Sequence, residues 1–242
     1  MRNDPDLRGA EARLGYTFTD ESLGLIALNP SKKGFSRLEF MGDAVLAVVV
    51  FTLTESVSHP RSDAKMLVSN SRLREIYMDS FAAHSPGNTG DVMEALVGAV
   101  YLDGGFQNAA DVITRVIETR FGTFDQVKIS ANMTSFEQRG LMWIGAHTAS
   151  AVAADYLCRT HPRQTHEFYS VQRGDFLRAS RLAQRSRELD LVAREATSRP
   201  SITRDKNDTD VLDAHVATMF LRDGWDLAKP RVMDVLDITH TL

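Results

Sequence analysis

A single cysteine, Cys158, stands among 242 residues. That scarcity excludes an internal disulfide framework and fits a reducing, intracellular compartment. It leaves mitochondrion, nucleus and cytoplasm open. No apolar run reaches the roughly 18–20 residues of a membrane span, so no membrane partner is expected. The opening stretch MRNDPDLRGAEARLGY is acidic and has neither a signal-peptide core nor a transit-peptide composition. Positive charge is scarce at the front, where residues 1–125 carry 12 Lys and Arg against 17 Asp and Glu. Such a half is a poor binder of nucleic acid by electrostatics alone. A polyanionic partner there needs a local patch, a metal ion or another protein.

What is present is a chain of 43% hydrophobic and 25% charged residues, ordinary for a soluble globular protein. Its length suits one large domain or two of about 100–150 residues. Breaker-rich stretches at 29–35 (NPSKKGF), 56–63 (SVSHPRSD), 83–91 (AHSPGNTGD) and 197–210 (TSRPSITRDKNDTD) read as loops. The segments between them show helical spacing, including KMLVSNSRLREIYMDSF, DVMEALVGAVYL and MWIGAHTASAVAADYL. The β-branched run LAVVVF would suit a buried strand by itself. Its length, and the polar residues at i, i+4 at its head, favour helix. The fold class expected is all-α.

In SRLEFMGDAVLAVVVF, Glu39 and Asp43 are four positions apart and so share a helix face. In GDVMEALVGAVYLDGG, Asp91 and Glu94 form a second pair at i, i+3. Both pairs head helices apolar enough to pack in the core. Clustered carboxylates repel and are costly to desolvate unless a cation offsets them. Hard oxygen ligands suit Mg²⁺ or Mn²⁺, and such a cluster is apparatus for phosphodiester hydrolysis. Acids favoured by helix dipoles remain the plainer alternative for either pair alone.

RLEFMGDAVL and DVMEALVGAVYLDGG, with LVSNSRL between them, resemble the signature blocks of the ribonuclease III family. The resemblance covers roughly residues 10–120. It implies an all-helical endonuclease domain that dimerises and cleaves double-stranded RNA with Mg²⁺, leaving 5′-phosphate and 3′-hydroxyl ends. It also implies that Glu39, Asp43, Asp91 and Glu94 bind metal, with Asp43 and Glu94 tied most directly to catalysis. Three departures bear on substrate handling and dimer geometry. Ser36 replaces an acidic residue, Ala64 stands near a usual Arg, and the Thr-His-Ser-like word is missing after residue 28.

The back half echoes the front. GLMWIGAHTASAV lays onto RLEFMGDAVLAVV, ASRLAQ onto NSRLRE, and DVLDAHVATMFLRDGW onto DVMEALVGAVYLDGGF, at offsets of 103, 109 and 119. Collinear, growing offsets are what an internal duplication gives. Met142 and Ala146 fall opposite Glu39 and Asp43, while Asp210 and Asp213 stay opposite Asp91 and Glu94. The expected organisation is a ribonuclease III-like endonuclease domain at 1–125 and a degenerate one at 130–242, together an intramolecular pseudo-dimer. A homodimer is the alternative. No double-stranded-RNA-binding module is expected after the repeat.

Arg178, Arg181 and Arg185 recur at i, i+3, i+7 and form a basic stripe that could track RNA phosphates. A solvated helix face is its plainer reading. The histidines show no ligand spacing, Cys158 reads as a small core hydrophobe, and Gly98 as a close-packing residue. Two functions stay open. One is a Mg²⁺- or Mn²⁺-dependent endoribonuclease acting on double-stranded or structured RNA. The other is a non-catalytic component of a mitochondrial ribosome or RNA-processing complex, with partner proteins.

Overall fold

A computed structural model describes residues 6–54, 60–81, 89–121, 135–191 and 204–238. Among them the regular elements are all helices, in the order α1 (Leu7–Leu14), α2 (Glu21–Ala27), α3 (Phe35–Thr54), α4 (Pro60–Leu67), α5 (Asn70–Phe81), α6 (Thr89–Phe121), α7 (Ser135–Thr160), α8 (His166–Phe176), α9 (Ala179–Glu188) and α10 (Arg204–Leu236). No helix among the described residues is long and apolar enough to cross a membrane.

Two compact units result. The first comprises residues 1–127 with 158–166, and the second residues 128–157 with 167–242. The short segment 158–166 thus joins the first unit, although sequence boundaries set it in the back half. Its contacts explain why. The Cys158 thiol lies 3.7 Å from the Arg37 carbonyl, the His166 ring meets Phe40 edge-on at 5.6 Å, and the Arg159 guanidinium lies 6.0 Å from the Tyr101 ring centre.

The core of the first unit is α3 against α6. The run Ala44–Phe51 is buried throughout, which settles LAVVVF as a helix rather than a strand. A helix apolar on every side is stable only when enclosed. Glycine lets the two backbones touch: a Cβ at Gly42 would lie 1.7 Å from the Glu94 carbonyl oxygen, and one at Gly98 would lie 2.0 Å from that of Leu38. At Gly105 (φ 83°, ψ −178°) α6 breaks its helical path. Beside that break the Asp103 carboxylate accepts from the Tyr16 hydroxyl (2.7 Å) and from the amides of Thr19 (2.8 Å) and Asp20 (2.9 Å). The α1–α2 connection is thereby tied to α6.

The second unit repeats these devices. A Cβ at Gly145 on α7 would lie 1.7 Å from the Asp213 carbonyl oxygen. Helix α10 spans 33 residues, as α6 does, and breaks at Gly224 (φ 74°, ψ 173°), 119 positions after Gly105. The buried Asp155 carboxylate accepts from Lys229 at 2.9 Å.

All four expected loops run into helix: Phe35 opens α3 and Thr89–Asp91 opens α6. Pro60–Asp63 opens α4, where proline suits the first turn because its missing N–H has no partner to lose. Arg204–Asp210 opens α10. Residues 56–59, 83–88 and 197–203 lie outside the described residues.

Candidate active site

Helix α3 carries Glu39 and Asp43 one turn apart, and α6 carries Asp91 in its first turn and Glu94 just after. The glycine contact at Gly42 falls beside Glu94 itself, so the close crossing of the two helices brings the four acids together. One carboxylate oxygen from each of Glu39, Asp91 and Glu94 lies within 4.8 Å of the other two. Asp43 is close enough for its charge to act on both glutamates.

Electrostatics record the crowding. Burial first, then the charges of Asp91 and Asp43, pushes the Glu39 carboxyl up to about 7. Burial first, then Asp43, Asp91 and Glu39, pushes Glu94 up to about 8. Glu94 is 7% exposed. Acids displaced this far above the ordinary carboxylate range, by burial and by one another, are candidates for a functional site. A divalent cation would remove the repulsion, and the all-oxygen donor set suits a hard ion such as Mg²⁺ or Mn²⁺.

The corresponding place in the second unit is different. Asp213 is buried, among the described residues its Oδ1 has no hydrogen-bond partner, and burial followed by the charge of Asp210 raises its carboxyl to about 8. The sequence repeat sets Met142 and Ala146 of α7, which offer no oxygen ligand, at the positions of Glu39 and Asp43, and Gly145 beside them touches the Asp213 carbonyl.

Two of the three stripe arginines also hold main-chain carbonyls. Arg181 donates to the carbonyls of Leu236 (3.2 Å) and Asp237 (3.0 Å). Arg185 donates to those of Val235 and Asp234, each at 3.1 Å. These bonds satisfy backbone acceptors at the end of α10, where helix carbonyls lack intrahelical partners. Arg178 is exposed and pairs with Asp175.

Sequence reasoning passed over a crevice of about 500 Å³ in the first unit, lined by Lys33, Gly34, Pro162, Arg163 and Gln164. No local signal joins residues some 130 positions apart.

No family model matches the chain. Curated relatives do. The chain is 33% identical over 156 residues to the ribonuclease 3 of a Jannaschia species, covering 52% of this chain and 67% of that protein. To the ribonuclease 3 of Methylocella silvestris it is 30% identical over 146 residues, covering 50% and 62%. To that of Ruegeria pomeroyi it is 32% identical over 143 residues, covering 48% and 64%. The match thus spans about half of this chain and under two thirds of the second and third of these proteins. With a third of the matched residues identical across two thirds of the Jannaschia protein, the chain belongs to the ribonuclease III family.

Proposed function

We propose that the chain is a divalent-metal-dependent endoribonuclease acting on double-stranded or structured RNA and leaving 5′-phosphate and 3′-hydroxyl ends. The observation that carries this reading is the meeting of Glu39, Asp91 and Glu94, with Asp43 beside them, at one crossing of two buried helices. Glu39, Asp43, Asp91 and Glu94 would hold Mg²⁺ or Mn²⁺. Such ions, when bound, polarise a phosphoryl oxygen and lower the pKa of a bound water.

The protein's own part is placement and proton storage. The backbone contacts at Gly42 and Gly98 fix α3 on α6, so the four acids are held by rigid elements rather than by loops. Glu94 and Glu39 keep protons near neutral pH while no cation is present, and release them as a cation binds. Asp43 and Glu94 are the residues assigned to catalysis. The second unit is a degenerate copy, since Met142 and Ala146 replace two of the four ligands. No observation favours the scaffold alternative.

The test is incubation of the full chain with long double-stranded RNA in Mg²⁺, in Mn²⁺ and in chelator, followed by end-group analysis of the products. Cleavage only with metal, giving 5′-phosphate ends, supports the reading. Intact RNA under all three conditions contradicts it.

A further inference from the structure

The first half of the chain is acidic, yet two stretches of the first unit are not. Residues 22–38 carry Lys32, Lys33 and Arg37 with no acid, and residues 158–166 carry Arg159 and Arg163 with no acid. Although about 120 positions separate them, residues 22–38 and 158–166 both belong to the first unit. The Cys158–Arg37 and His166–Phe40 contacts seat the second stretch on the beginning of α3. Where the two stretches meet lies the crevice of about 500 Å³, with Lys33, Arg163 and Gln164 in its wall. Among the described residues, neither Lys33 nor Arg163 has an ion pair or hydrogen bond.

Cations lining a polar hollow without a carboxylate partner contrast with Arg8 and Arg72 of the same unit, which are paired with acids. An anion supplies what the geometry lacks: Arg offers a planar fork and Lys a point charge, both matched to phosphate oxygens. The crevice opens at Gly34, five residues before Glu39, or about 7 Å along the axis of α3.

We propose that this crevice binds a phosphodiester of the RNA strand, one or two nucleotides from the bond presented to the acid cluster, through Lys33, Arg163 and Gln164. The proposal rests on the ribonuclease reading above. It supplies the local basic patch that an acidic half needs in order to hold a polyanion. It also gives residues 158–166, distant in sequence from the acids, a part in substrate binding. Phosphate contacts of this kind set register and affinity without reading bases.

The test is the full-length double variant Lys33→Gln, Arg163→Gln, compared with the wild-type chain on one duplex RNA at several salt concentrations. The expected result is a KM raised roughly tenfold at about 0.1 M salt, kcat changed by less than about twofold, and a slope of log K against log salt shallower by about one. Both side chains are exposed, so thermal stability should hold. The pair Lys33→Arg, Arg163→Lys should restore most of the affinity. Wild-type KM and salt slope in the Gln variant, beside a wild-type chain that binds and cuts RNA, would overturn the crevice alone. A wild-type chain that does not bind RNA would overturn both readings.

Discussion

Gly42 lies so close to Glu94 that a Cβ on the glycine would stand 1.7 Å from the glutamate's carbonyl oxygen. The obstructing atom is backbone, which cannot rotate away as a side chain does. Gly42→Ala should therefore force α3 off α6 and lower stability by about 3 kcal/mol or more, at the upper end for overpacking. Gly174, within α8, has nothing within 4 Å of the corresponding position. Gly174→Ala should raise stability by about 0.5–1 kcal/mol through helix propensity. Urea unfolding of the two variants checks both signs, and a neutral Gly42→Ala would remove the crossing as the element that places the acids.

The pH dependence of stability follows from the same cluster. Glu39 and Glu94 have carboxyls raised from 4.5 to about 7 and about 8. Between about pH 4.5 and 8 the folded chain binds more protons than the unfolded one, so metal-free stability should fall as pH rises through that window. Glu94→Gln should make the fall shallower, leaving the share of Glu39, which ends near 7, and that of Asp213 in the second unit. Saturating Mn²⁺ should also flatten the wild-type curve. Denaturant titrations in chelator at pH 5 and pH 8.5 measure this, and greater wild-type stability at pH 8.5 would contradict the assigned crowding.

Arg181 and Arg185 hold carbonyls at the end of α10. Hydrogen bonds from charged donors contribute about 1.5–3 kcal/mol each, so Arg181→Ala and Arg185→Ala should each lower stability by roughly that amount. Arg178→Ala, at an exposed ion pair, should change it by less than about 1 kcal/mol. Thermal unfolding separates the three. Equal, negligible effects would return all of them to a solvated face.

What could be read from the residues tracks what is local. Glu39, Asp43 and the run that follows them announce a buried helix headed by acids, because periodicity and composition act within a few turns. Asp91 and Glu94 do the same. The pairing of α3 with α6 was readable only through family likeness. The chemistry of Arg181 and Arg185 was hidden because their acceptors are main-chain carbonyls 49 to 56 positions away, which carry no sequence signature. Arg163 was passed over for a related reason, since its proximity to Lys33 arises from tertiary packing alone. Pro60 and Arg204–Asp210 looked like loop because breakers and polar residues also populate first turns.

Among the described residues one cluster of four acids is found, and the sequence repeat sets Met142 and Ala146 in the matching places of the second unit. On the proposed endoribonuclease reading one such centre hydrolyses one strand, so at concentrations where the chain is monomeric a duplex should be nicked rather than severed. Duplexes labelled separately on each strand distinguish the outcomes. Equal cutting of both strands within single complexes would contradict a single working centre per chain.

The most direct test of the acid cluster as the catalytic centre is cleavage of internally labelled double-stranded RNA by wild type and by Glu94→Gln, side by side in Mg²⁺. The substitution keeps the side-chain volume and removes a carboxyl whose ionisation burial and three neighbouring acids oppose, so the variant should fold at least as stably as wild type without metal. The account predicts metal-dependent cleavage by the wild-type chain and a loss of about 100-fold or more in the variant, the scale of a group acting in the transition state. Undiminished Mg²⁺-dependent cleavage by a well-folded Glu94→Gln chain would contradict it.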